Sequence, residues 1–337
     1  MLERVPGRAS GVGSWPGVDP VEPARTVFGE LAGPHLPYLP ELPARGPGAD
    51  LVGRGATLLV DLPVDLQPSG WRLVDRPGRD LAQAQSYLRQ DLDLLAEVAD
   101  GYTGPLKVQA TGPWTLAAQL RLVRLERAVV DPGACRDLVD SLAEGVARHV
   151  ARVRELVPGA QVVVQLDEPS LPDVLLGGLA TASGFGRLRA VEEPLVVEGL
   201  RTVLAAATGA GAVDTVVHCC AATAPVPVLA RSGAGGIGID VSLLGAPGWE
   251  AVAAAVESGL LLWAGAVPTQ GPLPSDAAVA DRVWTPWRRV GLPAERLDAV
   301  VLTPSCGLAG ATFAAARAAL DRSRSAAAVL AERSAGD

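Results

Sequence analysis

An alternation of short apolar runs with helical stretches is the feature that most constrains how this chain can fold. Eight runs rich in Ala, Val, Leu and Ile end in Gly, Pro or polar residues. They predict strands at 10–14, 57–61, 106–110, 161–166, 215–218, 236–240, 259–264 and 299–303. Stretches with helical spacing lie between them, at 21–32, 79–100, 114–128, 133–157, 195–209, 224–232, 248–257, 275–290 and 311–334.

Eight successive strand–helix units predict a (β/α)₈ TIM barrel, built as a single α/β domain from residues 1–337. A doubly wound open sheet is the alternative. The sequence has no G-x-G-x-x-G after the first strand and no P-loop, which argues against a dinucleotide-binding fold. In a parallel barrel, functional side chains gather at the carboxyl ends of the strands, so those positions are the first to inspect.

Composition narrows the classes of partner. The net charge is −8, and no basic run is present that would follow a phosphate backbone, so we expect no nucleic-acid partner. No apolar stretch reaches the roughly 18–20 residues of a membrane span, and the N-terminus lacks an apolar signal region. We therefore expect a cytoplasmic protein that acts without a membrane, as a monomer or homodimer. Lys107, the only lysine, carries no functional expectation.

Four possible metal ligands follow predicted strands in the last third of the chain. His218 and Cys220 form an H-x-C pair, Asp240 ends the next strand, and Cys306 follows the last one. One imidazole, two thiolates and one carboxylate suit Zn²⁺, and ligands drawn from separate strands favour a catalytic over a structural site. Unrelated buried residues are the alternative, because free cysteines are often buried. Cys219 has the opposite strand parity and is predicted to face the core.

Further polar residues lie at predicted strand ends and in one long loop. Asp167 and Glu168 follow a buried strand, where adjacent carboxylates are costly without a cation or hydrogen-bond donors; a simple helix start is the alternative. Ser14, in GVGSWP, is placed to bind a carboxylate, or merely forms a tight turn. The Pro-rich stretch 35–43 contains Glu41 and reads as a binding loop or a surface connection. His149 is expected to be a solvated helix residue.

The ordered set of motifs resembles the catalytic C-terminal barrel of cobalamin-independent methionine synthase, in the superfamily that includes uroporphyrinogen decarboxylase. The matching pieces are GVGSWP at 11–16, TGPWT at 111–115, QLDEP at 165–169, HCC at 218–220 and PSCGL at 304–308. They occur in the order typical of the family and span nearly the whole chain.

The resemblance implies a zinc-dependent methyltransferase that moves a methyl group to a thiol, with homocysteine as the acceptor and methionine as the product. It implies zinc ligation by His218, Cys220, Asp240 and Cys306. Binding of the amino-acid substrate is implied for Ser14 and Asp167, with Asp167 as the catalytic residue. The predicted substrate contacts also include Glu41, Glu168 and Trp114.

Three departures from the family matter, the first for the zinc site and the other two for the methyl donor. The acid ligand is Asp240 where the family has Glu, the segment 263–270 contains no His, and no N-terminal folate-binding barrel is expected. The donor is therefore left as methyltetrahydrofolate or a methylcorrinoid, and the latter would require a corrinoid protein as partner. Two other functions stay open: a metal-free, decarboxylase-like enzyme on the same barrel, and a zinc- or thiol-binding protein without turnover.

Overall fold

Parallel strands surrounded by helices form the body of the molecule in a computed structural model that describes residues 2–336. Seven strands form one parallel sheet in the order β1-β9-β8-β7-β6-β5-β4, and β2 and β3 form a separate antiparallel hairpin. The strands are β1 Arg8–Ala9, β2 Val64–Gln67, β3 Gly70–Leu73, β4 Pro105–Thr111, β5 Gln161–Asp167, β6 Asp214–Cys219, β7 Gly236–Asp240, β8 Leu261–Val267 and β9 Val300–Pro304.

Eleven α-helices lie within the described residues. They are α1 Val21–Leu31, α2 Leu51–Ala56, α3 Arg79–Val98, α4 Pro113–Gln119, α5 Pro132–Leu156, α6 Leu171–Leu176, α7 Glu193–Gly209, α8 Val226–Ala230, α9 Ala246–Glu257, α10 Asp276–Arg289 and α11 Phe313–Gly336. None of the helices within residues 2–336 is both long enough and apolar enough to cross a membrane.

The gap between β1 and β4 is filled by residues 36–41, which we call the closing segment. Its Leu36 amide donates to Ala9 O at 2.9 Å, and its Leu39 amide donates to Lys107 O at 3.0 Å, so it bonds to both neighbours. Glu41 pairs with the chain beyond β1 through its amide and carbonyl. The closing segment thus takes the place of an eighth strand beside the seven strands of the sheet. The predicted TIM-barrel-like fold is therefore confirmed over the open-sheet alternative.

The sequence analysis placed the barrel strand between β1 and β4 at the wrong residues. The strand predicted at 57–61 is wrong, because Thr57 ends α2 and the apolar residues after it form a turn. That turn packs under α5: Ser141 Oγ donates to Val60 O at 2.7 Å. A Cβ at Gly145 would lie 1.6 Å from Leu58 O, so only glycine allows this approach. The helix predicted at 114–128 is also too long, since α4 ends at Gln119.

The helix predicted at 133–157 is confirmed almost to the residue. Asp131 accepts hydrogen bonds from the amides of Gly133 and Ala134, and Pro132 occupies the first turn of α5. A side-chain cap of this kind stabilises a helix by about 1 kcal/mol. The buried face carries Leu138, Leu142, Val146, Val150 and Val153, and His149 lies on the same buried side with 7% exposure. The expectation of a solvated His149 is therefore wrong.

Candidate functional site

The residues that the sequence singled out lie at one end of the barrel. Asp167 is the last residue of β5, and it pairs in register with His218 of β6. Asp240 is the last residue of β7, and Cys306 follows β9 by two residues. Because these strands are parallel neighbours, their carboxyl ends form a shared mouth, where barrel enzymes place their chemistry.

His218 is oriented by a carboxylate at this mouth. Its Nδ1 lies 2.8 Å from Asp167 Oδ1, and Gln165 Nε2 donates to the same oxygen at 2.8 Å. An ionised carboxylate only accepts, so Nδ1 carries a proton, and in the neutral imidazole Nε2 is then the atom with the lone pair. Gly238 leaves space beside the ring, where a Cβ would lie 3.2 Å from His218 Cδ2. A carboxylate behind the imidazole is the usual support of a histidine metal ligand.

Two thiols meet at the same end of the barrel. The Sγ atoms of Cys220 and Cys306 are 2.9 Å apart, and both cysteines are free and half-buried. The hydrogen bond from Cys220, together with the nearby His218, lowers the pKa of Cys306 to about 6, and the same bond and burial raise the pKa of Cys220. Of the two thiols, Cys306 therefore has the lower pKa. Cys219, fully buried, faces the core as predicted.

Asp240 is turned toward its own chain. Its Oδ1 accepts from the Ser242 amide at 2.9 Å and from Ser242 Oγ at 2.6 Å, which caps the short 3₁₀ helix Val241–Leu243. Across residues 2–336, no three or more His, Cys, Asp and Glu side chains are gathered closely enough to hold a metal ion. The four predicted ligands are therefore brought to one end of the barrel, but no three of them form a cluster within the described residues.

Ser14 lies against the turn that follows Cys306. The Leu308 amide donates to Ser14 O at 2.9 Å, and a Cβ on Gly307 would lie 2.1 Å from Ser14 Oγ. Glycine at 307 thus leaves room for the Ser14 hydroxyl where the first and last loops of the barrel touch. Ser14 also forms an isolated parallel β-bridge with Glu41. The structure therefore places Ser14 and Glu41 in one corner of the mouth, beside the thiol pair.

Glu41 is a nearly buried carboxylate with a cationic partner. Its Oε1 lies 3.1 Å from Arg54 Nε, and the side chain is 11% exposed. Burial raises the pKa of Glu41, Asp167 raises it further, and the charges of Arg54 and Lys107 oppose that rise. Glu41 and Asp167 thus place two acidic side chains close enough for the charge of one to affect the pKa of the other.

Glu168 and Trp114 have positions behind the mouth. The Glu168 carboxylate is fully buried and accepts from the Trp114 amide at 2.9 Å, the Thr115 amide at 2.7 Å and Thr115 Oγ1 at 2.7 Å. Burial raises the pKa of Glu168 to about 7 although these hydrogen bonds lower it. The Trp114 indole donates to Val196 O of α7 at 2.9 Å. Both side chains therefore fasten α4 and its surroundings, and they do not meet the thiol pair.

Sequence reasoning missed three polar residues inside the barrel. Lys107 is fully buried, and its Nζ donates to Val12 O at 2.7 Å and to Gln109 Oε1 at 3.2 Å. Gln165 Nε2 donates to the same Val12 oxygen at 2.9 Å. Burial lowers the pKa of Lys107 to about 8, while Asp167 and Glu41 oppose the shift. The available signal was strand parity, because Lys107, Gln109 and Gln165 alternate along β4 and β5 on the face of Asp167.

Comparisons with known proteins agree with this fold. A B12-independent methionine synthase from Shewanella sp. W3-18-1, solved with selenomethionine, matches with a TM-score of 0.51 and 15% identity, over 72% of this chain and 66% of that chain. The chain thus spans slightly less than two thirds of that synthase, and the likeness shows the fold.

Two other solved structures match with lower TM-scores. No curated protein sequence matches the chain. A mandelate oxidase mutant has a TM-score of 0.30 and 18% identity over 86% of this chain and 84% of its own. The carboxyl transferase domain of Rhizobium etli pyruvate carboxylase has a TM-score of 0.25 and 14% identity over 66% and 41%. By contrast, the sequence profile of the cobalamin-independent synthase catalytic domain matches residues 8–329. The chain therefore belongs to the cobalamin-independent synthase family and corresponds to its catalytic domain.

Proposed function

We propose that this chain is a zinc-dependent methyltransferase that transfers a methyl group to the thiol of homocysteine and so forms methionine. The observation that carries the proposal is the contact between Cys220 and Cys306 at the same end of the barrel as a carboxylate-oriented His218. Membership of the cobalamin-independent synthase family supports the same reaction class.

The donor set suits zinc. Two thiol sulfurs and the Nε2 of His218 are soft and borderline ligands of the kind that Zn²⁺ prefers, and we assign these three residues to the metal. Asp240 remains the proposed fourth ligand; its Oδ2 is not used in the cap with Ser242. When bound, zinc lowers the pKa of a coordinated substrate thiol and provides a thiolate at neutral pH.

The protein side chains would hold the amino-acid end of the substrate. Ser14 and the backbone amides of its turn would bind the carboxylate. Asp167 would accept from the ammonium through Oδ2, because both of its described hydrogen bonds use Oδ1. Glu41 would be the second acceptor for the ammonium. These contacts fix the sulfur for in-line attack on the methyl carbon, and Asp167 links substrate binding to the orientation of His218.

The proposed donor is methyltetrahydrofolate or a methylcorrinoid. A corrinoid carried by a protein would make that protein a partner of this chain. Neither alternative changes the role of the thiol-binding residues, since both deliver a methyl group to the same sulfur.

Methionine formation tests the proposal directly. Zinc-replete protein is incubated with homocysteine and either methyltetrahydrofolate or methylcobalamin, and methionine is measured by mass spectrometry. We expect product with at least one donor, and a loss of at least about 10³-fold in Cys306→Ala. Glu30→Gln, in an ion pair between α1 and α11, is the control. Zinc binding without product would favour a binding protein; neither zinc nor product would favour the metal-free alternative.

A further inference from the structure

A buried chain of four alternating charges leads from the barrel mouth to the outer helices. It runs from Glu41 to Arg54 on α2, then to Asp91 on α3, and ends at Arg45 in the 3₁₀ turn Pro43–Arg45. Arg45 Nη1 and Nη2 each lie 2.8 Å from a different oxygen of Asp91. The side chains of Asp91, Arg45 and Arg54 are 0%, 6% and 7% exposed. The chain is electrically neutral as a whole.

Arg54 has little freedom to move within this chain. Its Nη1 bonds to Asp91, and its Nε faces Glu41. Its helix is capped by Asp50, which accepts from the Val52 and Gly53 amides. A Cβ at Gly55 would lie 2.6 Å from Thr111 Cβ, so α2 sits directly on the end of β4. The guanidinium is therefore fixed relative to the mouth.

A buried ion network of this size has a high free-energy cost as a means of stabilising a fold. Desolvation of each charge costs several kcal/mol, and apolar residues of similar volume are often as stable. The network does one thing that apolar residues cannot do, which is to keep a carboxylate charged at a nearly buried position. Burial raises the pKa of Glu41, and the charge of Arg54 acts against it.

We propose that Arg54, fixed by Asp91 and Arg45, is a positioning residue that keeps Glu41 ionised and directed at the substrate ammonium, so that the site selects thiols bearing a free amine. The inference rests on the proposed function, and it adds the origin of substrate selectivity. Arg54 Nε lies 3.1 Å from Oε1 of Glu41, and this contact fixes the direction of the carboxylate.

Two thiols that differ only in the amine test this proposal. Homocysteine and 4-sulfanylbutanoate are titrated calorimetrically into zinc-loaded protein, and KM and kcat are measured for each with the active donor. In Arg54→Met we expect homocysteine binding to weaken about 10- to 100-fold, as for loss of a charge-assisted contact, with kcat changed much less. Binding of the desamino analogue should change less than twofold. Asp91→Asn should act in the same direction.

Arg54→Lys and a double variant separate positioning from folding. Arg54→Lys keeps the charge and should recover at least half of the lost selectivity, even if Arg54→Met folds poorly. If Arg54 acts through Glu41, Glu41→Gln with Arg54→Met should bind homocysteine no worse than Glu41→Gln alone. Glu30→Gln, which breaks a half-buried ion pair away from the mouth, should leave both ligands unaffected.

Equal weakening of both thiols in Arg54→Lys, or additive losses in the double variant, would overturn the positioning role and leave a purely structural network. Wild-type protein that binds neither thiol would instead refute the proposed function itself. The two failures are therefore distinguishable from the wild-type titration alone.

Discussion

At the scale of single residues, the most informative side chain is that of Lys107, for which the composition of the sequence gave no hint of a role. Lys107 is the only lysine of the chain and lies at the centre of the barrel with no direct carboxylate contact. Its Nζ lies 5.1 Å from the centre of the Tyr38 ring. Together with Gln165 it fixes the Val12 carbonyl, just before Ser14. A buried cation with neutral partners is retained for function more readily than for stability.

Replacement of Lys107 should therefore separate stability from binding. We expect Lys107→Met to leave the free energy of unfolding unchanged or raised by about 1 kcal/mol, because desolvation of the ammonium no longer opposes folding. Homocysteine binding should weaken about tenfold or more, because the turn carrying Ser14 loses a support. Denaturant unfolding and calorimetric titration check the two parts. A variant that is less stable but binds normally would contradict this role.

At the scale of elements, the site depends on two loops that meet where a glycine faces the Ser14 hydroxyl. The loop after β9 carries Cys306 and Gly307, and the loop after β1 carries Ser14. Gly307→Ala would force the Ser14 hydroxyl out of its present position, since the new Cβ has no room beside Ser14 Oγ. We expect homocysteine binding to fall more than tenfold and stability to fall by about 1–3 kcal/mol, as for an overpacked site.

A matched glycine in the same loop provides the control for this prediction. A Cβ at Gly310 would meet nothing within 4 Å, so Gly310→Ala should behave as wild type. Ser14→Gly combined with Gly307→Ala should regain stability without regaining binding, because the clash is removed together with the hydroxyl. Equal behaviour of the two alanine variants in thermal unfolding and titration would show that the loops do not need this contact.

The sequence predicted most elements from periodicity, and its main error has a physical cause. Strand β7 and helix α5 were located almost to the residue, because buried apolar runs and an Asp–Pro start are local signals. The eighth position of the barrel was not found, since the closing segment is rich in proline and bonds through isolated contacts to both neighbours. An apolar run at 57–61 resembled a strand more closely, and only tertiary packing excludes it.

The candidate site, like the fold, was predictable only where local sequence signals place its residues. Residues at strand ends, such as Asp167 and His218, could be placed at the mouth because parallel strands share their orientation. The charge chain through Arg54 and Asp91 could not be predicted, because it joins elements that no local pattern connects. Glu168 illustrates the same limit: its partners lie on α4, some fifty residues earlier in the chain.

At the scale of the whole molecule, one buried histidine makes stability depend on pH. Burial, with the charge of Arg54 adding to it, lowers the pKa of His149 to about 4. The unfolded chain therefore takes up this proton first, near pH 6.5. The stabilisation is complete above pH 6.5 and is lost as the pH falls toward 4. Glu168, whose pKa is raised to about 7, has the opposite sign between pH 4.5 and 7, so the histidine must be isolated by substitution.

His149→Gln should flatten this dependence. Between pH 7 and pH 5 we expect the free energy of unfolding of the variant to fall by about 2 kcal/mol less than that of wild type. Urea unfolding at the two pH values measures the difference. Arg148→Gln, at the exposed neighbouring position, should keep the wild-type slope. Identical slopes in wild type and His149→Gln would mean that His149 is protonated as readily in the folded protein as in the unfolded chain.

The proposed function requires Cys220, Cys306 and His218 to bind a zinc ion that activates a substrate thiol. The most direct test is zinc content of the purified protein, combined with zinc K-edge absorption with and without homocysteine. We predict about one zinc per chain, an additional sulfur ligand when homocysteine is present, loss of zinc in Cys306→Ala, and full retention in Cys135→Ala, which changes a buried cysteine on α5. Protein that stays metal-free after metal-replete purification, or Cys306→Ala that keeps its zinc, would contradict the account.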